Sequence, residues 1–264
     1  MELGLQGRVA LVTGASGGLG LAVAGALANE GAKVAICSRS RERIDAAAAQ
    51  INTSAGAQAA MGFVADLTNL EARDSIVDRV AATMGPIEIA VINSGGPPSG
   101  PFESHPHDRW MAAVDEHLGS VLAITRGVLP AMRRARWGRI VTITSCSVKQ
   151  PAAGMIVSNT ARAAVVGFIR TLANEVAADG ITVNNVMPGY TLTDRIGELA
   201  DQIAHRSGVE PAAVIDGWKQ QIPMGRLGRP EEFAAMTAFL CSANASYVTG
   251  TSVSIDGGWN RGLF

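Results

Sequence analysis

The chain has 264 residues, a formal charge of −1 and 47% apolar residues, enough for a substantial core and too balanced in charge to favour nucleic acid as its main partner. No apolar run approaches the roughly 18 residues of a membrane helix, and Cys37, Cys146 and Cys241 follow no metal or disulfide spacing. The expectation is a reduced, cytoplasmic protein without a metal, in which Cys146 is a small buried filler rather than a reactive thiol.

The N-terminal stretch MELGLQGRVALVTG enters a strand pattern directly, with no signal-peptide pattern before it. Strands are predicted over residues 8–13, 33–38, 59–64, 87–92, 139–144, 182–186 and 252–255, each nearly continuous in apolar and β-branched residues. Helices are predicted over 18–30, 41–54, 69–84, 107–136, 155–178 and 230–242. This alternation predicts an α/β fold: one Rossmann-like, doubly wound domain over 1–264, with a parallel seven-stranded sheet and helices on both faces. Residues 193–224 break the rhythm, carrying Gly197, Gly208, Pro211, Gly217 and Pro223. They read as one or two short helices on hinges, a candidate lid over a substrate cleft; the alternative is a surface insertion. The apolar side chains of this segment, Ile196, Leu199, Ile203, Val209, Val214, Ile215 and Trp218, suit an apolar substrate or the core.

Thr13-Gly14-Ala15-Ser16-Gly17-Gly18-Leu19-Gly20 follows the first strand and opens the first helix. Such a turn lets backbone approach a pyrophosphate, with helix N–H groups and dipole facing the anion. The second strand ends on Arg39 rather than on an acidic residue. An acid would accept from a free ribose 2′-OH; arginine favours a 2′-phosphate. Arg39, with Ser16 and Arg41 or Arg43, therefore points to NADP over NAD, the alternative being a solvated helix start.

The spacing of Gly14, Gly18 and Gly20 resembles the short-chain dehydrogenase/reductase family, in its 3-oxoacyl-carrier-protein reductase-like branch. The resemblance runs nearly end to end. Asp66-Leu67 falls at the adenine contact, Asn93-Ser94-Gly95 at the family's Asn-Ala-Gly, and Pro188-Gly189 with Thr191 and Thr193 at its nicotinamide and phosphate segment. The stretches 223–232 and 248–258 match its C-terminal signatures. The resemblance implies an NADP-linked oxidoreductase acting on a small, possibly apolar molecule. It also implies a homo-oligomer, tetramer over dimer, assembled through helices 107–136 and 155–178 and the tail 258–264. Met155, Val157, Val165 and Ile169 would serve that interface or the core.

At the catalytic positions that the resemblance implies, the family has a serine that polarises the carbonyl, a tyrosine acid, a lysine that tunes it and an asparagine that holds a relay water. Here they fall on Ser145, Ser158, Arg162 and His117 respectively. Four residues past Tyr190 and Tyr247 come Asp194 and Thr251, so neither tyrosine restores the family's motif. Serine is a far weaker acid than a phenol of pKa about 10, and arginine binds and stabilises an anion without shuttling protons. His117 is the one group of the four that ordinarily titrates near neutrality; it reads as a relocated acid or as a hydrogen-bonded core histidine at a helix kink. His105, His107 and Lys149 read as surface or capping residues. Three functions remain open: an NADP-dependent reductase or dehydrogenase with an atypical proton donor; a catalytically silent NADP-binding sensor or partner subunit; and non-redox chemistry. Halohydrin dehalogenases share the arginine but keep the tyrosine and alter the glycine loop.

Overall fold

The computed structural model describes residues 2–56 and 58–263. Seven strands, β1 (Val9–Thr13), β2 (Lys33–Ser38), β3 (Ala60–Val64), β4 (Ile89–Ile92), β5 (Gly138–Ile143), β6 (Ile181–Pro188) and β7 (Ser252–Ile255), form one sheet in the order β3-β2-β1-β4-β5-β6-β7. Every pairing is parallel. Alternate side chains feed two cores, as the pleat requires. Ala10, Val12, Val34 and Ile36 pack with Val23, Leu27, Ile44 and Phe233 on one face. Val9, Leu11, Ala35 and Cys37 pack with Ile76, Ile124, Val165 and Ile169 on the other. Val165 and Ile169 therefore serve the core, as does Val157, which packs on Ala113 and Ala161.

Helices α1 (Gly18–Asn29), α2 (Arg41–Ala55) and α9 (Pro230–Cys241) supply the first face. Helices α3 (Leu70–Met84), α5 (Ser120–Ala135) and α6 (Ile156–Val176) supply the second. Ser40 caps α2 by accepting from Arg43 N at 3.3 Å, and Asn69 caps α3 by accepting from Ala72 N at 2.9 Å.

The helix expected over 107–136 is divided. A first piece, α4 (His107–Val114), meets α5 through a π-helical turn at Asp115–Gly119. One contact at this turn comes from another element. Arg73 of α3, itself 6% exposed, donates to the Asp115 carbonyl at 3.3 Å and to its carboxylate at 2.9 Å. A foreign donor inserted at a helical carbonyl widens the turn, and this turn carries His117 into the interior. Residues 193–224 contain two helices, α7 (Asp194–Ser207) and α8 (Pro211–Gln221), packed on each other.

The sheet order reverses between β1 and β4, the place where such folds open a crevice at the carboxyl ends of their strands.

Candidate active site

The β1 turn is locked to the end of β4. Thr13 Oγ1 donates to Asn93 O at 2.7 Å and accepts from Asn93 N at 2.8 Å, while Asn93 Nδ2 donates to Gly14 O at 3.1 Å. Gly14 sits at φ +58, and a Cβ there would stand 2.9 Å from Asn93 Nδ2. A Cβ on Gly20 would collide with the Gly14 carbonyl. Only backbone can line this cradle, which suits a pyrophosphate approaching the N-terminus of α1. Thr193 closes it from across the cleft, its Cγ2 lying 3.4 Å from the Cβ position of Gly18.

Arg43 Nη2 lies 3.4 Å from the Cβ position of Gly17, and Arg39 is exposed at the end of β2. Neither forms an ion pair among the described residues, whereas Arg41 is engaged by Asp45 at 3.5 Å. Two unpaired guanidiniums beside a glycine cradle fit a 2′-phosphate. Ser16 and Leu19 are half-buried in that cradle. Asp66 Oδ1 accepts from Thr68 N at 3.0 Å and Thr68 Oγ1 at 2.8 Å, fixing the turn after β3. Leu67 packs on the lower core and Gly95 is exposed after β4. Pro188 ends β6, Gly189 N donates to Ile255 O at 2.9 Å, and Thr191 is buried beyond it.

The centre of the cleft lies at the end of β5. Ser145 starts a short 3-10 turn, Cys146–Val148, and its Oγ accepts from Ser147 N at 3.1 Å. That leaves the hydroxyl proton free to donate. Ser158 and Arg162 stand one turn apart on α6, so they share a face. Arg162 Nε donates to Ser158 Oγ at 3.2 Å, and its Nη1 donates to Thr144 O at 2.6 Å and Ile143 O at 3.3 Å. The guanidinium thus joins α6 to the backbone immediately before Ser145. Burial, and the field of Arg195, bring its pKa down to about 10; it stays cationic at neutral pH. Ser158 is 3% exposed and Arg162 9%, whereas Ser145 is half-buried.

His117 completes the cluster. Its Nδ1 lies 2.5 Å from Ser94 Oγ, and its buried Nε2 has no partner among the described residues. Burial, then the charges of Arg162 and Arg109, pull its pKa down to about 3. The imidazole is neutral at pH 7, so the expected titration near neutrality is displaced and His117 acts as a neutral donor and acceptor.

The family model for enoyl-(acyl carrier protein) reductase matches residues 14–260. The chain belongs to the short-chain dehydrogenase/reductase family. It is 36% identical over 258 residues to nodulation protein G of Azospirillum brasilense, covering 96% of this chain and 98% of that one. To 3-oxoacyl-[acyl-carrier-protein] reductase FabG of Escherichia coli it is 34% identical over 256 residues, 97% and 98% of the two chains. Among solved structures, L-sorbose reductase from Gluconobacter frateurii, complexed with NADPH and L-sorbose, superposes with a TM-score of 0.94 at 30% identity over 100% of both chains. Actinorhodin polyketide ketoreductase with NADPH gives 0.92 at 31% identity, over 97% of this chain and 98% of that one.

Within this family frame, Ser145, Ser158, Arg162 and His117 gather around the end of β5, while His107 and Lys149 are exposed. His105 packs edge-on to Trp110 at 6.4 Å. Reading the sequence missed three features. Ser94, inside a glycine-containing turn, is the partner of His117. Buried Asn185 accepts from Thr142 Oγ1 at 3.0 Å and Thr144 Oγ1 at 2.9 Å, bracing the strand that carries Ser145. Tyr190 stacks on Trp218 at 4.7 Å and meets Trp259 edge-on at 5.9 Å, pinning α8 to the end of β6. The Cys146 thiol donates to Met187 O at 3.1 Å and burial raises its pKa, in keeping with an inert filler. No helix among the described residues is long and apolar enough to cross a membrane.

Proposed function

We propose that this protein is an NADP-dependent oxidoreductase that moves hydride between nicotinamide and a carbonyl or alcohol carbon, using an arginine-backed pair of hydroxyls in place of a phenol acid. The observation that carries this reading is the single guanidinium of Arg162, which holds both Ser158 Oγ and the Thr144 carbonyl beside Ser145. The cradle around Gly14, Gly18 and Gly20, with Arg39 and Arg43 beside it, would hold the cofactor. NADPH, when bound, supplies the hydride.

The chain's own residues manage the charge that hydride arrival places on the substrate oxygen. Ser145, with its lone pair taken by Ser147 N, donates its O–H to that oxygen. Ser158, whose Oγ accepts from Arg162 Nε, likewise keeps its proton for donation. Arg162 supplies a fixed positive charge in a dry setting, where such charges stabilise a developing oxyanion most strongly. Neutral His117, hydrogen-bonded to Ser94 through Nδ1, keeps an unpartnered Nε2 among the described residues that can donate or accept one further hydrogen bond. The substitutions at the family's tyrosine and lysine thus convert proton transfer from a phenol into polarisation by two hydroxyls, with the proton drawn from solvent.

A second reading is favoured by the depth of Ser158, which at 3% exposure offers little surface to a substrate. It makes the protein a silent NADP-binding sensor or partner subunit. Deuterium transfer from C4-deuterated NADPH into ketones and aldehydes separates the two. The reductase reading expects label in the alcohol, and a loss of about 100- to 1,000-fold in Ser145→Ala with NADPH affinity retained. Tight NADPH binding with no label in any product would establish the sensor.

We also propose a cytoplasmic homotetramer assembled through α5, α6 and the tail after β7, where Leu263 is 93% exposed. Light scattering of the eluted protein at four protomer masses is the expected outcome; a monomer would contradict it.

A further inference from the structure

The sheet order places β5 between β4 and β6. Arg195, in the first turn of α7 on the β6 side, reaches the opposite bank. Its Nη2 lies 3.5 Å from the Pro97 carbonyl, on the loop after β4. The same nitrogen is 3.4 Å from the Cβ position of Gly96. Arg195 therefore arches over the carboxyl end of β5. Beneath that arch lies Arg162, clamped on the carbonyls of Ile143 and Thr144.

Two guanidiniums thus flank the carboxyl end of β5, close enough for Arg195 to act on Arg162, and no buried carboxylate among the described residues offsets their charge. Arg162 forms no ion pair among the described residues; its partners are two carbonyls and a hydroxyl. Arg109, which also acts on His117, is satisfied by Glu116 at 3.2 Å. Arg195 has one carboxylate, Glu198, in a loose i,i+3 contact at 3.5 Å, with the two side chains 44% and 63% exposed. Exposed pairs of this kind hold weakly. The field of Arg195 is felt at Arg162, whose pKa it lowers. A cleft with two like charges and no buried acid is unfavourable when empty and complementary to an anion.

From this geometry we infer that the substrate is a carboxylate-bearing carbonyl or alcohol, its carboxylate taken by the fork of Arg195 while its reacting oxygen faces Ser145. A planar guanidinium whose two contacts, Pro97 O and Glu198, both lie at 3.5 Å matches a carboxylate bidentately. Glu198 occupies that fork loosely in this structure and yields it to the substrate. Arg195 is then a specificity-determining residue, and the lid selects by charge as well as by shape. The inference rests on the oxidoreductase reading but is tested without turnover.

The experiment is calorimetric titration of the NADP+-loaded protein with acetoacetate, 2-oxobutyrate and gluconate, each beside its neutral methyl ester or amide. Wild type is expected to bind at least one acid tenfold or more tightly than its neutral partner. Arg195→Met is expected to bring that ratio near one while the Kd for NADP+ changes less than twofold. Three results would overturn the inference: no acid preferred by wild type, a preference that survives in Arg195→Met, or a tenfold loss of NADP+ affinity, which would assign Arg195 to the cofactor. Charge preference without label transfer would sink the redox reading alone; label transfer without charge preference would sink this inference alone.

Discussion

His117 Nδ1 and Ser94 Oγ meet at 2.5 Å in an environment that keeps the imidazole uncharged. The sign of the consequence is fixed. With a folded-state pKa near 3 against an ordinary 6.5, the unfolded chain binds a proton between those values and the folded chain does not. This group therefore contributes stability that is complete above about pH 6.5 and lost as pH falls toward 3, at up to about 1.4 kcal/mol per pH unit. His117→Asn should flatten the slope of unfolding free energy between pH 4 and 6.5, measured by urea titration. A slope unchanged from wild type would mean His117 is charged in the fold.

The proposed 2′-phosphate contacts are Arg39 and Arg43. Arg39→Asp should raise the Kd for NADPH by about 10- to 100-fold, the worth of one charged hydrogen bond, and improve NADH binding. Fluorescence titration with both cofactors measures the ratio. Equal loss for both would place Arg39 at the pyrophosphate instead.

Gly20 has no room for a side chain against the Gly14 carbonyl. Gly20→Ala should destabilise by about 1–3 kcal/mol through overpacking, and thermal unfolding should show it as a lower Tm. NADPH affinity should fall with it, because the displaced carbonyl belongs to the cradle. A Tm and affinity matching wild type would refute the contact.

Trp218 ties α8 to the sheet through Tyr190. Trp218→Ala removes a buried aromatic and a stack worth about 0.5–1.5 kcal/mol beyond its area. Hydrogen exchange should accelerate in α7 and α8 while β1, β4 and β5 keep their protection. Uniform acceleration would make the segment part of the global core rather than a separable lid.

The strands were legible because two-sided burial leaves nearly continuous apolar runs: β2 and β7 occupy the residues expected, 33–38 and 252–255. What stayed hidden depends on partners far away in the chain. A kink at His117 is one reading of residues 107–136, but the π-helical form of the turn is not legible there, since Arg73, which holds Asp115, arrives from α3. The cluster of Ser145, Ser158 and Arg162 could be placed by resemblance, but not the direction of the guanidinium, which follows from how α6 docks on β5. His117 was legible as a candidate, while its protonation state required knowing that it is buried, with Arg162 and Arg109 nearby.

The central claim is that this site, with its own serine and arginine, transfers hydride. Its most direct test is single-turnover deuterium transfer from C4-deuterated NADPH, comparing wild type with Ser158→Tyr/Arg162→Lys on the same carbonyl panel. The account predicts label in the wild-type product, at a rate that falls at least tenfold in Arg162→Met. A wild type that binds NADPH yet transfers no label, beside a double variant that does, would contradict it.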